Sequence, residues 1–189
     1  MPRRLFQLTI LLCLPLSLHA QSGGAARTQI YGGYSYLSNS INGVSGSHQP
    51  LNGWDASVAM LNWHGLQFKA DVFDYRQTSL GAPQDLLYIG AGGQWIHRLG
   101  REYGFVEGLI GDGRLNRNWV AGGMPGNTAS FLTLVGGGLD TPMTRHLAFR
   151  VQGDFQYSNF TTDYLPVPDV VHGLPNYFFR ATVGPVWRF

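Results

Sequence analysis

The last stretch of the chain alternates, residue by residue, between two chemistries. Counting back from Phe189, every second residue to Phe179 is apolar, and Trp187 is among them. The residues between are mixed or polar and include Arg188 and Arg180. A period of two, with Arg on one face only, predicts a β-strand that lies between an apolar medium and a polar one.

The amino terminus has the pattern of a secretory leader. Arg3 and Arg4 precede an apolar run over residues 5–18, and Ala20 is the small residue expected before a cleavage site. The run is too short for a transmembrane anchor. We therefore predict a signal peptide over residues 1–20, with Ala25 and Ala26 as alternative cleavage positions.

Composition narrows the class of the mature chain. Cys13, the single cysteine, lies in the predicted leader, so no disulfide or thiol nucleophile remains. Of the 13 basic residues, Arg3 and Arg4 also lie there, which leaves 11 basic against 11 acidic residues and makes nucleic acid an unsuitable partner. Charged residues are scarce at 13%, and Gly and aromatics are abundant, which favours an all-β chain. After the leader no unbroken apolar run is long enough for a membrane helix, so a membrane protein of this composition has to be a barrel.

Eight segments show strand alternation. Within the third, Lys69 and Asp71 face away from Phe68 and Val72, and in the seventh Arg150 faces away from Val151. The sixth is almost wholly apolar or Gly, so its facing stays open. The segments are 28–37, 52–61, 66–75, 86–98, 103–113, 130–140, 149–157 and 179–189.

The connections between these segments alternate in length. Long polar loops are predicted at 38–51, 76–85, 114–129 and 158–175, and short turns at 62–65, 99–102 and 141–146. This pattern predicts an all-β fold, an eight-stranded antiparallel up-and-down transmembrane β-barrel over residues 21–189, with both termini at the short-turn end. The alternative is a soluble lipocalin-like barrel, whose apolar face points inward.

Four stretches carry a resemblance to a known family: Tyr31–Tyr36 (YGGYSY), Phe68–Val72 (FKADV), Gly136–Tyr157 and Phe179–Phe189 (FRATVGPVWRF). The chain resembles the small eight-stranded outer-membrane barrels of the OmpA-like and OmpX-like superfamily, the "outer membrane protein beta-barrel domain" sequences of Gram-negative-type bacteria. Pro185 departs from the pattern, because proline removes a ladder donor from the closing strand.

The resemblance implies a location and a set of partners. It implies that the protein lies in the cell outer membrane. For a barrel in that place we expect contact with outer-membrane lipid and lipopolysaccharide, and a monomer. The resemblance also implies that the barrel-assembly machinery reads the C-terminal strand. The residues of that assembly signal are Phe179, Val183, Trp187 and Phe189.

A polar set faces the predicted lumen: Asp55, Lys69, Asp71, Gln94, Glu107, Arg150, Asp154 and Arg180. Opposite charges in so narrow a lumen have to pair, because breaking a buried pair costs about 3–5 kcal/mol. We expect a salt-bridge network that closes the lumen, with Asp71 paired to Arg150 or to Arg180. The alternative is a narrow ion path gated by those pairs.

The sequence indicates no chemistry beyond this network. The mature histidines are His48, His64, His97, His146 and His172, and none lies in a pattern that predicts a catalytic constellation, a metal site or a cofactor site. We therefore predict a non-enzymatic protein with a structural or surface-interaction role and an extracellular partner at the outer loops. A narrow pore is the second hypothesis, and an outer-membrane lipid-modifying enzyme is the third.

Overall fold

A computed structural model describes residues 28–38, 51–79, 82–117, 126–158 and 176–189. The strands in this part of the chain form a closed antiparallel barrel in which each strand pairs with its sequence neighbours and the first pairs with the last. The predicted fold class is confirmed. The strands are β1 (Gln29–Ser38), β2 (Leu51–Trp63), β3 (Leu66–Ser79), β4 (Ala82–Leu99), β5 (Glu102–Arg117), β6 (Gly126–Pro142), β7 (Leu147–Ser158) and β8 (Asn176–Arg188).

Some predictions fall on residues outside the described ranges. The signal peptide at 1–20 is one, and it stays a prediction together with the domain boundary at residue 21. His48 and His172 also lie outside these ranges, as do residues 39–50 and 159–175 of the loops predicted at 38–51 and 158–175. Within the described residues, no helix is long and apolar enough to cross a bilayer.

The two faces of each strand follow the alternation read from the sequence. In β7, Arg150 and Asp154 are buried in the lumen, whereas Val151 and Phe155 are more than half exposed on the outer surface. The facing of β6 is now decided: Leu134 and Asp140 point inward. Pairing with β5 and β7 sets that facing, because side chains of one register row share a face.

Two of the predicted long loops are wrong. β3 and β4 continue as a paired hairpin from Arg76↔Asp85 to Ser79↔Ala82. β5 and β6 likewise pair as far as Arg117↔Gly126. The error has a physical cause: the outward face becomes polar at this end of the barrel, so apolar alternation stops while backbone pairing continues. The predictions of loops at 76–85 and 114–129 are therefore corrected.

The short connections at the opposite end are confirmed. The β2–β3 turn consists of His64 and Gly65, both with positive φ (53° and 89°). Two residues of positive φ match the twist of a tight antiparallel hairpin. Gly100 also has positive φ (65°), between β4 and β5.

Two rings of aromatic side chains flank an aliphatic band on the outer surface. Aliphatic residues such as Val58, Ile89, Val135 and Val151 form the band, and on β2, β7 and β8 the band separates aromatics at the two ends of one strand. Beyond the band, at the long-connection end, lies the exposed pair Asp112–Arg114 (3.0 Å). The ring at the short-turn end comprises Trp63, Phe68, Trp95, Phe149, Trp187 and Phe189, and the other comprises Tyr34, Tyr36, Trp54, Phe131, Phe155, Tyr157, Tyr177 and Phe179.

The seam between β1 and β8 closes the barrel with one interruption. The backbone of Phe189 donates to the carbonyl of Thr28 (3.0 Å), and the register then runs to Tyr31↔Val186 and resumes at Tyr34↔Val183. Gly32 and Gly33 therefore form no ladder pair with Pro185 and Gly184, which lie opposite them. This is the irregularity expected from Pro185. A Cβ on Gly184 would overlap the carbonyl oxygen of Gly32, whereas one on Gly32 would meet open space.

The two glycines of this seam give a matched test. Gly184→Ala should lower the free energy of unfolding by about 1–3 kcal/mol, because the new methyl group is forced against the β1 backbone. Gly32→Ala should change it by less than about 0.5 kcal/mol. Denaturant unfolding of both variants measures the difference, and equal effects would contradict the close approach at the seam.

Candidate functional site

The lumen holds all eight polar residues selected from the sequence, and none is more than 4% exposed. The structure brings six of them into one group, which we call the central cluster. Arg150 belongs to a second group nearer the short-turn end. The side-chain amide of Gln94 makes no hydrogen bond to either group. The central cluster consists of Asp55, Lys69, Asp71, Glu107, Asp154 and Arg180.

Arg180 occupies the middle of the central cluster. Its Nε lies 2.7 Å from Oδ2 of Asp154, and its two terminal nitrogens lie 3.3 Å from Oδ2 of Asp55 and of Asp71. Glu107 is further away, at 4.0 Å. β8 supplies the guanidinium, and β2, β3, β5 and β7 supply the carboxylates. One cation therefore links strands on opposite walls of the barrel.

Glu107 and Asp154 are further held by Lys69 and Gln152. The Lys69 Nζ donates to both oxygens of Glu107, at 2.9 and 3.1 Å. The side-chain amide of Gln152 donates to Glu107 (2.9 Å) and to Asp154 (2.8 Å). Gly136 is the register partner of both acids, and a Cβ there would overlap Asp154. Glycine at this position makes room for the network in a narrow lumen.

The second group, the lower cluster, consists of Asp140, Arg150 and Arg188. Arg150 contacts both oxygens of Asp140, at 2.7 and 2.9 Å, and Arg188 donates to the same carboxylate at 2.7 Å. The guanidinium of Arg150 lies 4.2 Å from the ring centroid of Phe105, a distance at which a cation is attracted to the ring face.

This geometry decides between the two pairings predicted for Asp71. Arg180 pairs with Asp71, and Arg150 pairs with Asp140 instead. Asp140 was not selected from the sequence, because the facing of the sixth segment was open. Arg188 was also not selected, although its position on the polar face of the last strand was a sufficient signal.

An apolar layer fills the lumen between the central cluster and the long-connection end. Phe73 and Tyr88 stack within it at a centroid distance of 4.5 Å, and Arg180 lies 4.8 Å from the centre of the Phe73 ring. This apolar plug was not predicted from the sequence, although Phe73 and Tyr75 share the face of Asp71. The plug comprises Leu37, Leu51, Phe73, Tyr75, Leu86, Tyr88, Leu109, Leu132, Leu134 and Phe178.

The described histidines lie at the short-turn end, away from the clusters' carboxylates. His64 and His97 are exposed, and the ring of His97 stacks on Trp95 at 5.6 Å. The Nδ1 of His146 lies 3.1 Å from the backbone oxygen of Arg188. Among the residues that the structure describes, no group of three or more His, Cys, Asp or Glu side chains is arranged to hold a metal ion.

The residues of the predicted assembly signal share one surface. Phe179, Val183 and Trp187 point outward from β8, and Phe189 follows the strand at the short-turn end. Each is between 38% and 46% exposed. They form a continuous apolar stripe on the closing strand.

Fold and filled lumen together define a small eight-stranded barrel of the outer-membrane type, and the resemblance in fold is confirmed. The chain is similar to Neisserial surface protein A (NspA), with a TM-score of 0.65 and 14% identity over 88% of this chain and 100% of that one. It is also similar to Ail of Yersinia pestis in complex with the heparin analogue sucrose octasulfate, with a TM-score of 0.57 and 13% identity. A third similar structure is the N-terminal barrel domain of Pseudomonas aeruginosa OprF, with a TM-score of 0.55 and 10% identity. Both matches cover 88% of this chain and 100% of the other chain. At these identities the likeness establishes the fold alone. No protein family matches the sequence, and no curated protein does.

The central position of Arg180 generates a stability prediction. Arg180→Leu should lower the free energy of unfolding by about 3–5 kcal/mol, because it leaves buried carboxylates without their cation. Arg76→Leu is the control: Arg76 also pairs with an aspartate at 3.0 Å, but its side chain is 78% exposed, so the loss should be about 0–1 kcal/mol. Denaturant unfolding in lipid vesicles measures both, and a small loss for Arg180→Leu would contradict the network.

Proposed function

We propose that this protein is an integral barrel of the bacterial outer membrane with a structural or surface-interaction role. The observation that carries the proposal is the closed lumen, which is filled by two charged clusters and by the apolar plug. A barrel closed in this way acts through its surfaces and not through its interior.

The placement of charge supports a membrane location over a soluble barrel. The described lumen residues include five carboxylates and four cations in ion pairs. The outer surface carries an aliphatic band between aromatic rings, the pattern expected where strands face lipid. A lipocalin-like barrel has the opposite arrangement, with an apolar interior and a polar exterior.

The same interior argues against the two other hypotheses. A pore would need a continuous polar path, and the apolar plug occupies the lumen beyond Arg180. An enzyme would need its acid and base groups within reach of a substrate. In the described part of the chain, the clustered carboxylates are buried, and the histidines lie at the short turns.

The partners follow from the surfaces. We propose that the aliphatic band and aromatic rings contact membrane lipid, with lipopolysaccharide at the long-connection end. We also propose that the assembly machinery recognises the apolar stripe of β8. Phe189→Ala should then impair assembly of the barrel in cells but leave its refolding in detergent unchanged. An extracellular partner would bind at residues 39–50 and 159–175, outside the described ranges. The complex of Ail with a heparin analogue supports ligand binding as a role for a barrel of this fold.

Location is tested by labelling whole cells that express single-cysteine variants with a membrane-impermeant thiol reagent. Cysteine at Ser45, Asn118 or Asp163, in the long connections, should label in intact cells. Cysteine at His64 or Thr144, in the short turns, should label only after the cells are lysed. Labelling of every site after lysis, and of none before, would show a periplasmic protein and contradict the proposal.

Closure is tested by conductance in planar bilayers. The wild-type barrel should give no channel steps, and Arg180→Leu should also stay silent, because the apolar plug closes the lumen independently of the charges. Steps from the wild type would support the pore hypothesis. Steps from the variant alone would show that the charged clusters, and not the apolar plug, keep the lumen closed.

A further inference from the structure

The charges of the described lumen do not balance. The central cluster has four carboxylates against two cations, and the lower cluster has two cations against one carboxylate. One carboxylate therefore remains in excess over both clusters. An unbalanced charge in so enclosed a place is costly, and a buried acid relieves the cost by binding a proton.

The acids differ in how well they are held. Asp140 receives donors from two guanidinium groups, and Glu107 receives both contacts of Lys69. Asp154 receives Arg180 at 2.7 Å and the amide of Gln152. Asp55 is the exception: it lies 3.3 Å from Arg180, but neither of its oxygens has a hydrogen-bond donor. The excess is therefore located at Asp55.

Asp71 is the neighbour of Asp55 across the β2–β3 ladder. Its register partner is Ser57, two residues from Asp55, and the Oδ2 atoms of Asp55 and Asp71 lie 3.3 and 3.4 Å from the same terminal nitrogen of Arg180. The Oδ1 of Asp71 has no donor either. Two carboxylates are both acceptors, so this approach is favourable when one of them carries a proton.

Two tyrosine hydroxyls point to the same level of the lumen. The hydroxyl of Tyr31 lies against Gly33, the register partner of Asp55, and that of Tyr88 lies against Gly90, the register partner of Asp71. Both tyrosines are at most 2% exposed, and the hydroxyl of Tyr88 has no hydrogen-bond partner. A hydroxyl at this level of the lumen can donate a hydrogen bond to the acid pair or accept one from it.

We propose that Asp55 and Asp71 form a proton-binding site, in which Asp55 holds the proton and donates a hydrogen bond to Asp71. The proton is a permanent ligand of the folded barrel and balances the charge of the lumen. The groups around the pair are Tyr31 on β1, Lys69 and Tyr75 on β3, Tyr88 on β4 and Arg180 on β8. Glu107 on β5 and Asp154 on β7 contact the same guanidinium group.

Infrared spectroscopy of the barrel in lipid vesicles tests the site directly. At neutral pH the wild type should show the carbonyl stretch of a protonated carboxyl group, shifted on exchange into D2O. Asp55→Asn should remove this band while the barrel stays folded, because the amide still donates to Asp71. Asp74→Asn, which changes an aspartate on the outward face that pairs with Arg76, should retain it. If Asp55→Asn fails to fold, Asp71→Asn serves instead, since loss of either carboxyl group removes the excess.

Linkage provides a second readout. The unfolded chain has released this proton at neutral pH, so the folded barrel binds one proton more. Raising the pH by one unit should then lower the folding equilibrium constant about tenfold, and Asp55→Asn should abolish the slope due to this proton. Absence of the band from the wild type, or its survival in Asp55→Asn, would overturn the proposal. So would a barrel without the band whose stability depends on Na⁺, since a metal cation would then balance the charge.

Discussion

The ion pairs of Arg180 are the interaction on which the rest of the interior depends. A guanidinium group buried in the middle of a barrel has to be matched by carboxylates, or the fold loses several kcal/mol. Asp55, Asp71 and Asp154 meet this requirement from three other strands. The contacts cross the lumen and join walls that backbone pairing alone does not connect. Gly136 follows from the same demand, because a side chain at this position would overlap Asp154.

The interior is closed by two kinds of packing. Within each charged cluster, acids and bases form short, directional ion pairs. The apolar plug fills its own part of the lumen with stacked rings and leucines. The ring of Phe73 joins the two, since it stacks on Tyr88 and lies beside Arg180. This double closure leaves the outer surface and the connections as the parts of the molecule where a function would lie.

Sequence reasoning predicted most of the fold and part of the lumen. The facing of β7 and β8 followed from simple alternation, because each strand separates two media along its whole described length. The ends of β3, β4, β5 and β6 did not follow, because alternation weakens where the outward face becomes polar. Asp140 was missed for a related reason: a strand of glycines and apolar residues, such as β6, carries no contrast between its faces.

The sequence by itself determined the class of fold. In the strands with clear alternation, it also determined which residues face the lumen and which face outward. Both follow from local geometry, since successive side chains of a strand point to opposite faces. Tertiary structure alone decided which charges meet. Arg180 contacts Asp55 and Asp71, which are distant in sequence, because closure of β8 on β1 and the register of every intervening pair set their heights in the barrel. The same register brings Asp55 and Asp71 to one guanidinium group and leaves one carboxylate in excess. This excess follows from the pairing of all the strands and cannot be read from any single strand.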